Sequence, residues 1–429
     1  MSDVPPEIIT TILIRLPVKS LLRSRCVSKP WRFLIDGQDF IKQHLRHNVE
    51  TNSNRTLLGE SNSNRPLVYE YTKFFYVDLD SLKRLDTGNL RSKPQYVVGS
   101  CNGLVLFLNF SNDIVLWNPS TRKLKELPAT PLPPELEKSH MVADQGIFRY
   151  GLYSLGYDSK HDDYKVVRVM QVSDFIHGGF ACTETKIYSL KTDSWKILED
   201  FPYLLMHNKP RGVYLNDAVH TVVRKIGYWS DLGIVAINLV KEEHYEFPKP
   251  DFGGVSHIVA SVEVIGECLA AVVVPGEMDP SGGVWVISSD VWVMKEYGVK
   301  ESWCKLFRFD HSVPGVCKNL RTLGYSKSGD EFLLNDDGKR LVWYNLGKKS
   351  VRVARVEGLS DAWARVPRVE GVSPLADAWM CVESLVSPES PSAAAGVEIE
   401  KLNAQQGKKG TEIKKKRNTF LSAEFNPSL

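Results

Sequence analysis

Residues 4–31 read VPPEIITTILIRLPVKSLLRSRCVSKPW, a stretch in which helical apolar stripes alternate with helix breakers. Four apolar side chains recur at the spacing of one helical face: Ile9, Ile12, Leu13 and Leu16. Pro17 must end this helix, because proline removes a hydrogen bond from a helix interior. A second stripe follows, and Ser28 can cap a third helix that stops at Gly37. The stretch therefore predicts three short helices, with a further short helical segment at residues 39–45.

The predicted helical module, residues 1–47, is too small to bury all of its apolar surface. Domains of this size are only marginally stable alone, because the fraction of surface that a fold can bury falls with its size. The apolar side chains left exposed therefore indicate a protein partner.

The module also admits two other interpretations. Its eight basic and four acidic side chains are compatible with a helix-turn-helix DNA reader. Such a reader needs Asn, Gln or Arg at the base-contacting positions of one helix, whereas the third helix here offers Trp31, Leu34 and Ile35. The other interpretation is a helical cap that only stabilises the rest of the chain.

The same stretch resembles the plant F-box motif, which residues 4–9, 12–23 and 25–31 match almost position for position. Val4 departs from the leucine that the family usually has at that position. The resemblance implies docking on a Skp-type adaptor, which connects the module to a cullin and its RING subunit. The implied adaptor contacts are Pro5, Ile9, Leu13, Leu16, Pro17, Leu21, Leu22, Cys26, Val27 and Trp31.

The composition of the whole chain is that of a globular protein. The chain has 429 residues, 43% hydrophobic content and a formal net charge of +3, so neither nucleic acid nor membrane is its default partner. Seven cysteines without a C-x-x-C pair fit neither a disulfide framework nor a zinc site. The apolar runs are too short to span a bilayer, and a signal peptide is not expected. We expect a soluble protein of the cytoplasm and nucleus.

A repeated pattern of short apolar runs follows a polar stretch at residues 48–65, which is interpreted as a linker. Six copies can be aligned on one position each: Val77, Trp117, Tyr188, Ile237, Met294 and Tyr344. Their spacings are 40, 71, 49, 57 and 50 residues, and repeats of about 40–50 residues are typical of propeller blades. The widest spacing contains a proline-rich stretch at residues 128–145, which is interpreted as an inserted loop. Residues 66–388 are therefore predicted to form a β-propeller of about six blades.

This region also resembles the F-box-associated domain of plant F-box proteins, a kelch-like relative. The matching segments are residues 99–104, 117–121, 155–158, 163–167 and 188–190, with Ser194 and Trp195. Residues 381–388 resemble the closing strand of that domain. The implied fold is an α+β multidomain protein, in which a three-helix F-box precedes an all-β, kelch-like propeller that binds the target.

The sequence contains no motif that predicts catalysis or metal binding. It has no G-x-S-x-G, H-E-x-x-H or P-loop pattern. His161, Asp162 and Asp163 are adjacent on a predicted turn, where their side chains cannot easily converge on one ion. Cys26 and Cys101 fall in apolar runs and are interpreted as core residues. We therefore predict no catalytic residue, no metal and no cofactor.

Together these patterns predict the substrate-recognition subunit of a Skp/cullin/F-box ubiquitin ligase, in which other subunits transfer ubiquitin to the captured target protein. The alternative is a propeller that acts as a small-molecule receptor or an enzyme and carries a helical extension. Target contacts are expected on propeller loops, with Leu132, Leu136 and Met141 of the insertion as candidates. Residues 389–429 are predicted to form a disordered basic tail. Its lysine-rich residues 408–409 and 414–417 form either a nuclear localisation signal or a solvated charge cluster.

Overall fold

A computed structural model of the chain describes residues 5–61, 73–79, 81–85, 94–109, 111–132, 147–174, 179–199, 201–205, 211–225, 232–252, 257–276, 285–316, 320–336, 340–354 and 377–389. Two predicted features lie largely outside these ranges. They are the basic tail beyond Glu389 and most of the insertion, including Leu136 and Met141. The nuclear signal and these two candidate target contacts therefore stay predictions.

Four helices form the N-terminal module of the described chain: α1 (Pro6–Ile14), α2 (Val18–Ser24), α3 (Lys29–Asp36) and α4 (Gln38–Glu50). The residues predicted to end one helix or to cap the next lie directly before α2 and α3. Pro17 directly precedes α2, and the Ser28 hydroxyl caps α3 by accepting a hydrogen bond from the Trp31 N–H at 3.3 Å. The fourth helix is longer than the predicted short segment. The fully buried core of the module consists of Leu13, Leu21, Ile35 and Phe40.

The rest of the described chain is built from strands. In chain order they are β1 (Arg55–Ser61), β2 (Lys73–Asp78), β3 (Arg84–Leu85), β4 (Pro94–Cys101), β5 (Leu104–Asn109), β6 (Ile114–Asn118), β7 (Lys123–Glu126), β8 (Ile147–Asp158), β9 (Asp163–Asp174), β10 (Gly179–Ser189), β11 (Ser194–Ile197), β12 (Tyr203–Leu205), β13 (Val213–Leu215), β14 (Ala218–Lys225), β15 (Leu232–Asn238), β16 (Glu243–Phe247), β17 (His257–Ile265), β18 (Cys268–Pro275), β19 (Trp285–Met294), β20 (Trp303–Val316), β21 (Leu320–Tyr325), β22 (Glu331–Asp336), β23 (Arg340–Asn345), β24 (Ser350–Val353) and β25 (Asp377–Val382).

These strands assemble into six antiparallel sheets within the described residues, and each sheet is one blade of a propeller. Blade 1 has the strand order β25-β1-β2-β3, blade 2 consists of β4–β7, and blade 3 of β8–β11. Blade 4 consists of β12–β16, in which both β12 and β13 pair with β14, blade 5 of β17–β20, and blade 6 of β21–β24. The innermost strands β25, β4, β8, β13, β17 and β21 contact one another in this order and close a ring.

The predicted six-bladed propeller is confirmed, and the six aligned positions have equivalent places in it. Each lies in the third strand from the axis of its blade, namely β2, β6, β10, β15, β19 and β23. This strand has a neighbour on both edges and other blades on both faces, which favours an apolar side chain at the aligned position. All five residues of β6, for example, are buried. The repeat was detectable because the aligned residue is buried in all six blades.

Blade 1 closes the ring by pairing strands from the two ends of the propeller. Strand β1 runs antiparallel to β25, with Arg55 opposite Val382 and Leu58 opposite Trp379. The predicted linker at residues 48–65 is therefore wrong over much of its length, because α4 continues to Glu50 and residues 55–61 form β1. Strand β1 was not predicted because its apolar run is short and lies between asparagine- and serine-rich segments. Leu57 and Leu58 of this run are fully buried.

The residues that follow β25 complete the helical module. The Glu383 carboxylate accepts a hydrogen bond from the Val18 N–H at the start of α2 at 3.1 Å, and Asn48 of α4 donates to the Glu383 carbonyl at 3.2 Å. Leu385 packs against the module's apolar core. Burial raises the pKa of Glu383, although the hydrogen bond from Val18 opposes that shift. The N-terminal helices thus depend on side chains from the C-terminal end of the propeller.

The same segment is also fixed to blade 2. The fully buried Asn118, at the end of β6, donates from Nδ2 to the carbonyl oxygens of Ser384 at 3.0 Å and Val386 at 2.7 Å. Lys123 pairs with Glu389 at 2.7 Å. Asn118, which belongs to one of the segments that resemble the F-box-associated domain, therefore holds the closing segment against the ring.

A substitution at Gly103 can test how much the docked closing segment contributes to stability. It lies in the turn between β4 and β5 with φ +82°, and a Cβ at this position would overlap the Ser384 side chain and the Val382 carbonyl. Gly329, in the equivalent turn of blade 6, has φ +76° but open space around it. Left-handed backbone strain alone costs about 1 kcal/mol or somewhat more, and the overlap adds about 1–3 kcal/mol. In urea titrations we expect Gly103→Ala to lower the free energy of unfolding clearly more than Gly329→Ala. Equal losses would show that the closing segment does not depend on this contact.

Candidate functional site

Large apolar side chains are exposed on the first three helices of the module. Ile8 and Ile12 lie one turn apart on the same side of α1 and are 50% and 54% exposed. Val27, between α2 and α3, is 66% exposed, and Phe33 of α3 is 86% exposed. Apolar groups gathered on so small a module are typical of an interaction surface. We call these four residues the exposed apolar set.

The predicted adaptor contacts fall into three classes in the structure. Pro5, Pro17, Cys26 and Val27 are exposed. Partly buried positions are Ile9, Leu16, Leu22 and Trp31. Leu13 and Leu21 are 1% and 0% exposed because they form the module's core, so they support the fold and have no surface to offer a partner.

Several exposed residues of the module differ from what the apolar pattern predicts. Ile8 and Phe33 were not singled out, since they lie off the apolar stripes that identified the helices. Ile12 belongs to the predicted apolar stripe of α1, and half of its surface is exposed. Cys26 is exposed, so its interpretation as a core residue is wrong, whereas Cys101 is buried. Burial raises the pKa of the Cys101 thiol, which keeps it protonated.

The fourth helix attaches the module to the propeller. Ile41 and Leu45 pack against an apolar cluster of blades 2 and 3, and Lys42 forms an ion pair with Asp162, in the turn between β8 and β9, at 2.7 Å. Buried His44 donates from Nε2 to the Leu16 carbonyl at 2.9 Å, which ties α4 to the end of α1. Burial lowers the pKa of His44, so it is neutral near pH 7. No member of the exposed apolar set lies on α4, the helix that packs against blades 2 and 3.

Leu132 is the one candidate target contact within the described residues. It packs against Met170 and Val172 of blade 3. The chain beside it is also attached to this blade, since Trp195 donates from Nε1 to the Pro128 carbonyl at 2.9 Å and Lys186 donates to the Pro131 carbonyl at 3.3 Å. The start of the insertion therefore covers blade 3, and Leu132 contributes to that packing.

The three polar residues considered as metal ligands bind other groups. His161 contacts the buried Asp158 at 2.8 Å, and Asp162 pairs with Lys42. Asp163 accepts hydrogen bonds from the Ser189 hydroxyl at 2.6 Å and from the Lys191 N–H at 2.9 Å. In the described ranges, no three His, Cys, Asp or Glu side chains come together in a way that could hold a metal ion.

Blades 5 and 6 contain a Ser–His–Asp arrangement that the sequence did not reveal. Ser289 Oγ lies 2.8 Å from His311 Nε2, and His311 Nδ1 lies 3.0 Å from a carboxylate oxygen of Asp336. Hydrolase triads use the same order of hydrogen bonds. Here all three side chains are buried, and Ser289 has no exposed surface. The arrangement therefore links β19 and β20 of blade 5 to β22 of blade 6.

None of the helices in the described part of the chain is long and apolar enough to cross a membrane.

Comparisons with known proteins agree with this architecture. The F-box domain family matches residues 1–43, and the F-box associated beta propeller domain family matches residues 79–388. F-box protein CPR1 of Arabidopsis thaliana is 32% identical over 386 residues, which cover 85% of this chain and 87% of that protein. An F-box/kelch-repeat protein of the same plant is 30% identical over 339 residues, covering 76% of this chain and 83% of that protein.

The buried triad leads to a stability prediction. His311→Ala removes the hydrogen-bonding partner of Ser289 and one partner of Asp336 inside the protein, so we expect a loss of about 2–4 kcal/mol in the free energy of unfolding. His161→Ala is the matched control, because its half-exposed ring also contacts a buried aspartate, Asp158, which keeps an ion pair with Lys165. The control should lose less than about 1 kcal/mol. Labelling of Ser289 by a fluorophosphonate would contradict a purely structural role.

Proposed function

Since this chain belongs to the F-box proteins that carry an F-box-associated β-propeller, we propose that it is the substrate-recognition subunit of a Skp/cullin/F-box ubiquitin ligase. The F-box binds a Skp-type adaptor, which connects it to the cullin and the RING subunit. The propeller binds a target protein, to which the other subunits transfer ubiquitin. The observation that carries this proposal is the exposed apolar set, whose side chains on α1, on α3 and between α2 and α3 are left in contact with solvent.

The exposed apolar set has the properties of an adaptor-binding surface. Its four side chains are held by helices whose own core is already formed by Leu13, Leu21 and their neighbours, so docking requires no unfolding of the module. Binding to an apolar partner surface would remove large side chains such as Phe33 from water, and each fully buried side chain of this size contributes about 1.5–3 kcal/mol. Ile9 of α1 and Trp31 of α3, which are partly buried, lie on the same helices as the exposed apolar set and extend the contact.

The chain's contribution to ubiquitin transfer is positioning. Its helical module is fixed to the propeller by the Glu383 and Leu385 contacts, by the docking of α4 and by the Lys42–Asp162 ion pair. A target bound to the propeller is therefore held at a defined distance from the adaptor. Proximity of this kind accelerates a transfer reaction without any catalytic group from the receptor.

Target capture is proposed for the propeller face opposite the helical module. The module contacts the turn between β8 and β9. Because consecutive strands of a blade are antiparallel, the first residue of β8, which the chain reaches after the insertion, lies at the opposite face. A target at that face is not blocked by the adaptor, and loops on rigid scaffolds are where binding residues are most often found.

The adaptor surface can be tested on side chains that carry no core contact. The double variant Val27→Ala with Phe33→Ala should keep its melting temperature, since both side chains are mostly exposed. Its affinity for a purified Arabidopsis Skp-type adaptor should fall by about tenfold or more, as for central apolar contacts of an interface. Ile197→Ala, which removes a 68% exposed side chain from the outer strand of blade 3, is the control and should bind normally. Unchanged binding by the double variant would exclude these residues from the adaptor interface.

The insertion can be tested without disturbing its attachment to blade 3. We expect replacement of residues 133–146 by a Gly/Ser linker of equal length to remove a target protein from affinity-purified complexes, as judged by quantitative mass spectrometry. Residues 128–132 remain, so the contacts of Pro128, Pro131 and Leu132 with blade 3 are retained. Adaptor recovery serves as the internal reference. A lowered melting temperature would assign the segment a structural role, and an unchanged set of bound proteins would exclude it from target capture.

A further inference from the structure

The three helices that carry the exposed apolar set hold more positive than negative charge. Residues 5–36 contain six basic side chains and two acidic ones. Asp36 neutralises part of this excess, since it pairs with Arg25 at 2.8 Å and with Arg32 at 3.5 Å. The other four cations are exposed, and their side chains form no ion pair or hydrogen bond with another described residue. We call these four residues the cationic set: Arg15, Lys19, Arg23 and Lys29.

Helical spacing places cations of this set beside the exposed apolar side chains. Arg15, directly after α1, follows Ile8 and Ile12 at seven and three positions, so all three lie on one side of the helix. In α3, Lys29 precedes Phe33 by four positions, which is one helical turn. An apolar centre with a charged, solvent-accessible rim is the usual build of a protein interface. The cations therefore belong to the rim of the exposed apolar set.

Helix stability does not account for the two lysines. Lys19 and Lys29 lie in the first turns of α2 and α3, which contain no acidic residue, and a cation there opposes the helix dipole. Arg15 and Arg23, by contrast, lie at helix C-terminal ends, where a cation is favourable. Glu383 reaches the start of α2, but its carboxylate accepts a backbone hydrogen bond there. Residues that break a local rule without a structural gain are expected at functional sites.

We propose that Lys19 and Lys29 accelerate association with the adaptor by attracting carboxylates at the rim of the adaptor surface that covers the exposed apolar set. This inference rests on the proposed function and adds a kinetic role for named residues. Long-range attraction between complementary charges raises the rate of encounter, whereas apolar contacts mainly determine the rate of dissociation. The apolar centre formed by Phe33 and its neighbours favours an acidic protein over a nucleic acid, which presents chiefly phosphates.

The test measures association and dissociation rates of the full chain with a purified Arabidopsis Skp-type adaptor by surface plasmon resonance. Between about 0.05 and 0.5 M NaCl the Debye length shrinks about threefold. The association rate constant of the unmodified chain should fall by about tenfold or more over this range. The double variant Lys19→Gln with Lys29→Gln should associate about three- to tenfold more slowly at low salt and at a similar rate at high salt. Its dissociation rate should change by less than about twofold.

Two further variants separate position from total charge and from folding. Arg46→Gln with Lys295→Gln removes the same net charge from exposed side chains of α4 and of the turn after β19, and should keep the rates of the unmodified chain. Lys29→Glu places an acid in the first turn of α3, so its melting temperature should be unchanged or raised. Its association should nevertheless be slower than that of Lys29→Gln. Damage to the fold cannot produce this combination.

Slow, salt-sensitive association confined to the lysine variants supports the inference. Equal rates for the unmodified chain and the double variant at low salt overturn it, as does an equal loss in the Arg46 and Lys295 control. A lowered melting temperature of Lys29→Glu also overturns it, because the lysine would then support the fold. Binding of duplex DNA that the double variant loses would assign the lysines to nucleic acid instead. Absence of any adaptor binding by the unmodified chain would overturn the proposed function itself, which distinguishes the two failures.

Discussion

The antiparallel pairing of β1 with β25 is the constraint on which the rest of the structure depends. It joins residues 55–60 to residues 377–382 and converts an open row of blades into a ring. Closure removes the sheet edges that an open array would expose. It also places residues 383–389 beside the helices, where they provide the Glu383 cap of α2 and the Leu385 contact with the module's core. Ring and helical module are therefore one cooperative structure.

Polar groups buried at this junction set its geometry. Three side chains each form a hydrogen bond with the backbone of another part of the chain: Asn118, Asn48 and Glu383. An apolar contact tolerates sliding, whereas a buried amide that loses its partner costs about 1–3 kcal/mol. The angle between helices and propeller is consequently specified by hydrogen bonds, while most of the stabilising free energy comes from the apolar clusters between blades.

Much of the fold could be predicted from the sequence because its signals are local and repeated. Pro17 and Ser28 indicated where helices end or begin. The six aligned positions, of which Val77 is the first and Tyr344 the last, indicated one blade each. The strand at residues 55–61 was missed because its short buried run lies between asparagine- and serine-rich flanks. Its pairing with β25, more than three hundred residues away in the chain, leaves no local pattern either. The kelch-like relationship inferred from the motifs stays a prediction.

The functional surfaces were harder to predict than the fold. Apolar periodicity identifies the buried side of a helix, and Leu13 and Leu21 lie on that side. Phe33 is apolar but lies off the stripe, so periodicity does not identify it. The triad of Ser289, His311 and Asp336 joins residues from two blades. Their spacing along the chain follows blade length and carries no motif.

The hydrogen bond between Val18 and Glu383 spans 365 positions of the chain, and this has a consequence for biosynthesis. Translation proceeds from the N-terminus, so the F-box helices leave the ribosome long before the segment that completes them. Contacts between distant parts of a chain form slowly, because the intervening loop must first be ordered. During that interval the nascent helices lack Leu385 and the Glu383 cap, and their exposed apolar side chains are available to chaperones or to early association with the adaptor. Folding of the helical module is thus completed only after the last strand has been synthesised.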